Sequence, residues 1–86
     1  MSQLNKIITK LQKRPTPRDF TWDDLLKVLT HFGFEPIPLG KTGGSRRKFI
    51  NADKVIISLH EPHPRNELKK YQIDQIIEIL KNEALL

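Results

Sequence analysis

Apolar residues near the amino terminus recur every three or four positions. They fall at the i, i+3, i+4 and i+7 positions of a helix, namely Leu4, Ile7, Ile8 and Leu11. This spacing predicts a short amphipathic helix from about Ser2 to Gln12. Pro15 and Pro17 end the pattern, because proline removes a backbone donor and disfavours helix in the residue before it. We therefore predict a helix and linker over residues 1–18 and a main domain over residues 19–86.

A second helix is predicted between a start signal and a stop signal. Thr21 followed three residues later by Asp24 is a capping-box pattern, which places Trp22 at the first helical position. Gly33 is suited to end this helix, because glycine adopts the left-handed conformation after a helix at no steric cost. Apolar residues again repeat at helical spacing between these signals: Leu25, Leu26, Val28, Leu29 and Phe32.

Three extended segments follow the second helix. Residues 34–39 contain two prolines, which a central strand excludes, so they are predicted as an edge strand or an extended lead-in. The glycines of residues 40–45 predict a turn before a strand over residues 46–50. Residues 51–54 form the next predicted turn. Residues 55–59 are rich in β-branched side chains, and we expect this strand to lie at the centre of the sheet.

The chain closes with a proline-interrupted loop over residues 60–66 and helical periodicity from Glu67 onwards. The apolar positions of this last helix are Leu68, Ile73, Ile76, Ile77 and Leu80. Helices and sheet bury their apolar sides together when the helices pack on one face of a three-stranded antiparallel sheet. The sequence therefore predicts an α+β fold with the order helix, helix, three strands, helix.

The composition adds a basic balance to this picture. Fifteen Lys and Arg residues face ten Asp and Glu residues in a chain of 86, so the net charge of +5 attracts polyanions such as nucleic acid or an acidic protein. The alternative is that the extra positive charges only keep a small protein soluble. There is no cysteine, no stretch of the ~20 apolar residues that a membrane helix needs, and no signal-peptide pattern. We expect a cytoplasmic protein without a membrane partner.

Three cations follow the glycine-rich turn. Gly43 and Gly44 allow close backbone approach to a ligand, and Arg46, Arg47 and Lys48 come directly after Ser45. Because side chains alternate along a strand, the first and third cations share one face and the second points to the other. This pattern predicts a phosphate-binding site. The alternative is a solvated edge strand whose charges prevent aggregation.

Two further groups are candidates for work on a phosphate backbone. Lys69 and Lys70 stand just before the last helix, whose free N–H groups and dipole favour anions, although two lysines can also simply solvate a loop. His60 and His63 flank Glu61, and an imidazole held by a carboxylate can transfer protons. The alternative is that both are ordinary loop histidines.

Other kinds of site are not indicated. No third ligand lies near the two loop histidines in sequence, so no metal is expected. No nucleotide-binding loop or nucleophile triad is present, so no cofactor is expected. The aromatic residues do not alternate as a base-stacking platform, and most are expected in the core: Phe20, Trp22, Phe32, Phe34, Phe49 and Tyr71.

Four features occur together in a characteristic order. They are the helix end over residues 29–34, the Gly43-Gly44-Ser45 turn, the strand over residues 55–59, and the run over residues 63–70. With these features, residues 20–84 resemble the HicA family, the small toxins of bacterial toxin–antitoxin pairs. The resemblance implies an α-β-β-β-α fold like that of a double-stranded-RNA-binding domain, here with an extra amino-terminal helix.

The resemblance also implies a function. HicA-like toxins bind and cleave messenger RNA without a metal, through a histidine after the Gly-Ser turn, and a HicB-like antitoxin holds them inactive. In this chain that position is Arg46, which stays protonated and cannot act as a general base, but can clamp a phosphate or stabilise transition-state charge. His60 and His63 are then the candidates for proton transfer. The residues expected to bind RNA are Gly44, Ser45, Arg46, Arg47, Lys48, Lys69 and Lys70.

Three functions stay open at this point. The first is a HicA-like endoribonuclease toxin. The second is an RNA-binding module or regulatory adaptor that keeps the fold without the chemistry, which the arginine at the histidine position favours. The third is an interaction protein whose basic face docks an acidic partner.

Overall fold

The structure is a computed structural model that describes residues 3–38, 46–62 and 65–86. Within these ranges the chain forms three helices and a three-stranded antiparallel sheet, which confirms the α+β class. The order is α1 (Gln3–Leu11), α2 (Trp22–His31), β1 (Glu35–Pro36), β2 (Arg46–Ile50), β3 (Ile56–His60) and α3 (Lys70–Asn82).

The predicted start and stop of α2 are confirmed. The backbone N–H of Asp24 donates to Oγ1 of Thr21 at 3.2 Å, and the Asp24 carboxylate accepts from the Thr21 N–H at 3.3 Å, so both halves of the capping box form. At the other end Gly33 has φ of +85°. The N–H of Phe34 then donates back to the carbonyl of Leu29 at 2.9 Å, which closes the last turn.

The strand order β1-β2-β3 corrects one prediction. In the described sheet β2 is the central strand and β3 lies at an edge, so the expectation that residues 55–59 form the central strand is wrong. On β3 the β-branched Ile57 is buried on the inward face while Ile56 is 54% exposed on the other face, so β-branched side chains carry no information on the number of neighbouring strands. The alternative that β2 is an edge strand protected by its charges is also wrong.

The turn between β2 and β3 is a tight loop over residues 51–55. Oδ1 of Asn51 accepts a hydrogen bond from the N–H of Val55 at 2.9 Å, and the carbonyl of Asn51 accepts from Lys54 at 3.0 Å. Lys54 takes φ of +64°, a left-handed conformation that costs a residue with a side chain more than glycine. This turn sets the register of the hairpin.

The core lies between the inward face of the sheet and the helices. Trp22 of α2 packs on Phe49 of β2 with ring centroids 6.0 Å apart. The expectation that aromatic residues fill the core is confirmed for these two and for Phe20 and Phe34, whereas Tyr71 is 62% exposed. The core side chains are Leu11, Phe20, Trp22, Leu25, Val28, Leu29, Phe34, Phe49, Ile57, Leu59, Leu68, Ile73, Ile76, Ile77 and Leu80.

The amino-terminal helix packs on the domain. Leu11 at its end is fully buried in the common core. Nζ of Lys10 lies 3.2 Å from the Asp19 carboxylate and 3.9 Å from that of Asp24, which ties α1 to the start of α2. The boundary placed at residue 18 stays a prediction, but α1 shares its core with the residues that follow. Within the described ranges, none of the helices has the length and apolar character needed to cross a bilayer.

The segments that precede α2 and α3 pair with each other. The N–H of Leu68 donates to the carbonyl of Phe20, and the N–H of Trp22 donates to the carbonyl of Asn66, both at 2.8 Å. Thr21 and Glu67 form an antiparallel bridge between them. The amino-terminal ends of the two helices are therefore held side by side.

The left-handed residue of the hairpin turn gives a test of this fold. Replacing Lys54 with glycine is expected to raise the free energy of unfolding by about 0.5–1 kcal/mol, because glycine adopts positive φ without steric cost. The measurement is urea unfolding. The matched control is Asp53→Gly in the same turn, at a residue without positive φ, where glycine adds only unfolded-state entropy and should destabilise. Equal effects of the two substitutions would contradict this account of the turn.

Candidate nucleic-acid interface

The outward face of β2 and β3 carries the cations predicted from sequence. Arg46 and Lys48 are exposed on this face, opposite His60 and Ser58 of β3 in the antiparallel register. The alternation predicted for these cations is confirmed, since Arg47 lies half-buried on the other side and binds the Glu61 carboxylate at 3.2 Å. The outward face therefore combines two exposed cations, a hydroxyl and an imidazole.

Arg46 reaches across to both of its neighbours on β3. Nη1 donates to Oγ of Ser58 and Nη2 lies against Nε2 of His60, each at 3.1 Å. A guanidinium has donors and no acceptor, so the imidazole must accept at Nε2 and carry its proton on Nδ1. In this contact Nε2 of His60 holds a lone pair, as a proton acceptor requires.

Glu61 was predicted to orient the imidazoles of His60 and His63. In the structure the guanidinium of Arg46 contacts the imidazole of His60, and the carboxylate of Glu61 binds Arg47. The other predicted site residues in this region, Gly44, Ser45 and His63, lie outside the described residues.

A cleft of about 560 Å³ opens at the end of β3. Its walls are the end of β3, the segment before α3 and the first turn of α3, and Arg18 lines it from the linker that precedes α2. Arg65 and Lys69 are the other permanent cations of this lining, His60 lies at the sheet side, and the carboxylates of the lining are Glu61, which binds Arg47, and Glu67. Within the described ranges, no group of three or more His, Cys, Asp or Glu side chains is placed to hold a metal ion.

Arg18 and Arg65 were not among the residues predicted to bind RNA. Each follows a proline in a segment without periodic structure, so the sequence shows a cation in a loop and nothing more. They share one cleft because the segments before α2 and α3 pair through backbone hydrogen bonds. Pairing between segments more than 40 residues apart leaves no local pattern in the sequence.

The two lysines at the start of α3 have different surroundings. Lys69 precedes the helix and lines the cleft, whereas Lys70 is its first residue and lies 2.8 Å from the Asp74 carboxylate. Nη1 of Arg14, in the linker, binds the same carboxylate at 3.3 Å. The hydrogen bond from Lys70, assisted by Arg14, holds the pKa of Asp74 below its ordinary value. Lys70 is thus already paired, and Lys69 is placed to meet a ligand.

Gln72 connects β3 to the start of α3. Its side chain is 3% exposed, Nε2 donates to the carbonyl of His60, and Oε1 accepts from the N–H of Lys69, both at 3.0 Å. The side-chain amide of Gln72 therefore fixes the main chain at His60 relative to the main chain at Lys69. Sequence reasoning did not single out this residue, because a glutamine in a helix is usually solvated.

Comparison with known proteins bears on the same region. The family model described as HicA toxin of bacterial toxin-antitoxin systems matches residues 22–81, more than two thirds of the chain. The match spans the sheet, the residues at the end of β3 and most of α3. No curated protein and no solved structure matches the chain significantly.

The role of Gln72 is tested by an isosteric change. Gln72→Met keeps the volume of the side chain and removes both hydrogen bonds, so the free energy of unfolding is expected to fall by about 2 kcal/mol in urea titration. Gln75→Met, an exposed position of the same helix, is the matched control and should change it by less than about 0.5 kcal/mol. Similar losses for both variants would show that the amide does not connect strand and helix.

Proposed function

Because the chain belongs to the HicA toxin family of bacterial toxin–antitoxin systems, we propose that it binds messenger RNA and cleaves it without a metal ion. HicA-family toxins are mRNA interferases. The observation that carries the proposal is the cross-strand contact between Arg46 and His60. It brings a proton acceptor and a permanent cation together on an open, basic face.

The proposed proton acceptor, His60, lies on β3, next to the position on β2 where the family has its histidine. The resemblance places the family's histidine at position 46, where this chain has arginine. His60 is the register partner of that position, and its Nε2 lies 3.1 Å from the guanidinium. The imidazole of His60 therefore lies at the same part of the sheet as the family's histidine. Arg46 adds a guanidinium that can bind a phosphate through two N–H groups, which a histidine cannot do.

The chemistry that this pair supports is attack within the RNA chain. A bound phosphate draws the guanidinium of Arg46 towards its oxygens, which leaves Nε2 of His60 facing the ribose. Nε2 takes the proton of the 2′-hydroxyl, the 2′-oxygen attacks the adjacent phosphorus, and the bond to the 5′-oxygen breaks. The leaving oxygen takes a proton from solvent. Arg46 stabilises the charge that builds up on the phosphoryl oxygens.

The remaining cations bind the backbone on either side of the scissile phosphate. Lys48 extends the open face along β2, while Arg18, Arg65 and Lys69 line the cleft at the end of β3. Arg47 and Lys70 are paired with carboxylates and contribute less. A cationic surface of this kind supplies affinity without base specificity. The family also implies a HicB-like antitoxin as protein partner.

One observation favours a second candidate, RNA binding without cleavage. The guanidinium of Arg46 occupies Nε2 of His60, the atom that has to accept a proton. If phosphate does not displace it, the protein holds RNA intact. The two candidates give different results in the same assay, because intact RNA and cleaved RNA separate on a denaturing gel.

Cleavage of a long labelled RNA in EDTA tests the proposal. His60→Ala is expected to lower the rate at least about a hundredfold, in the range usual for loss of general base catalysis. His31→Ala, an exposed histidine at the end of α2, is the control and should cleave at the rate of the unchanged protein. Cleavage that persists in His60→Ala would remove the assignment of this residue, and RNA that stays intact with every variant would support the second candidate.

The carboxylate that pairs two basic side chains gives a test of the binding surface. Asp74→Asn releases Lys70 and Arg14, so the affinity for RNA at low salt is expected to rise about twofold to fivefold, the range of an exposed ion pair. Asp53→Asn removes the same charge in the hairpin turn, at the end of β3 opposite the cleft, and controls for net charge. Fluorescence anisotropy measures both. An equal gain in the two variants would show that RNA does not bind at the start of α3.

A further inference from the structure

Tyr71 is the exposed aromatic residue of the described structure. It lies in the first turn of α3 and is 62% exposed, while Phe20, Trp22, Phe34 and Phe49 are buried. Within the described residues, its ring makes no hydrogen bond and no aromatic or cation–π contact. Fold stability therefore does not explain an aromatic ring at this position.

The ring lies next to the proposed reaction site, in a cleft whose three cations outnumber its two carboxylates, Glu61 and Glu67. Tyr71 lines the same cleft as His60, Arg65 and Lys69. The neighbouring residue Gln72 donates to the carbonyl of His60, which fixes the first turn of α3 against the end of β3. A nucleic acid whose sugar–phosphate backbone contacts the imidazole of His60 therefore also meets the ring of Tyr71 in the same cleft.

We propose that Tyr71 stacks on a nucleobase of the RNA strand bound in this cleft, and that the substrate is consequently single-stranded there. The inference rests on the proposed RNA binding and names its substrate class. A ring with one free face offers a π surface to any base, and cations beside it hold the flanking phosphates. Bases in a duplex are already stacked on their neighbours, so a duplex offers no face to this ring.

The surroundings of Tyr71 favour a base over an apolar protein segment. Arg18, Arg65 and Lys69 surround the cleft, and burying these cations under an apolar partner would cost their hydration. A nucleotide supplies both requirements at once, an aromatic face for the ring and a phosphate for a cation.

The chain also offers a matched control. Ile56 is the other large apolar side chain exposed in the described structure, at 54%. It lies at the start of β3, beside the hairpin turn, whereas His60 lies at the other end of that strand. Both side chains are on the surface, so removing either one leaves the core intact.

The experiment measures binding and cleavage of a single-stranded oligoribonucleotide. Tyr71→Ala is expected to weaken binding roughly 10- to 100-fold, Tyr71→Phe to bind within about threefold of the unchanged protein, and Ile56→Ala to have no effect. The loss should appear in KM, with kcat at saturating RNA changed much less, because the ring binds and does not react. The affinity for a duplex of the same sequence should not change in Tyr71→Ala.

A scan of abasic sites locates the base. Oligonucleotides that lack one base at a time should show one position at which Tyr71→Ala no longer weakens binding, because the stacking partner is already gone. If Tyr71→Ala binds like the unchanged protein, or weakens binding equally at every abasic position, base stacking is overturned. A defect confined to His60→Ala, with Tyr71→Ala normal, would remove this inference and keep the ribonuclease. RNA that stays intact with every variant, with weak binding in Tyr71→Ala, would keep this inference and remove the ribonuclease.

Discussion

The candidate site depends on the register of the β2–β3 hairpin. Side chains alternate between faces, so a shift of one residue would turn Arg46 and Lys48 towards the helices and bring Arg47 and Phe49 to the surface. The register is set by the Asn51 turn at one end and by the burial of Phe49 against Trp22 on the inward face. The same constraint that fills the core therefore places an arginine opposite a histidine on the outside.

A second constraint joins the sheet to the helices that border the cleft. The backbone pairing of Phe20 with Leu68 fixes the two helix starts, and the buried amide of Gln72 fixes the end of β3 to the start of α3. Cations from segments far apart in sequence thereby face one cleft. Neither connection uses a charged side chain, which leaves the cations of this surface available for a ligand.

Local signals explain which parts of the fold the sequence could predict. The capping box at Thr21 and the glycine at position 33 act within one helical turn, and both were predicted with the correct residues. The order of the strands in the sheet was not predicted, because it depends on which neighbour each strand pairs with, and the β-branched residues of β3 do not determine that. His60 was a candidate from sequence, but its position beside Arg46 follows from pairing across the hairpin. The exposure of Tyr71 likewise depends on how α3 packs.

The carboxylate of Asp74 also influences which anions this surface can hold. It satisfies Lys70 and Arg14 before any ligand arrives, so an incoming phosphate has to compete with an internal anion for these two side chains. A free nucleotide makes few other contacts that would compensate for displacing the Asp74 carboxylate. A polymer of phosphates also engages Arg18, Arg65 and Lys69 along the cleft, and its many simultaneous contacts outweigh the loss of one internal ion pair. On the proposed RNA-binding surface, this internal carboxylate therefore favours a chain of phosphates over a single phosphate group.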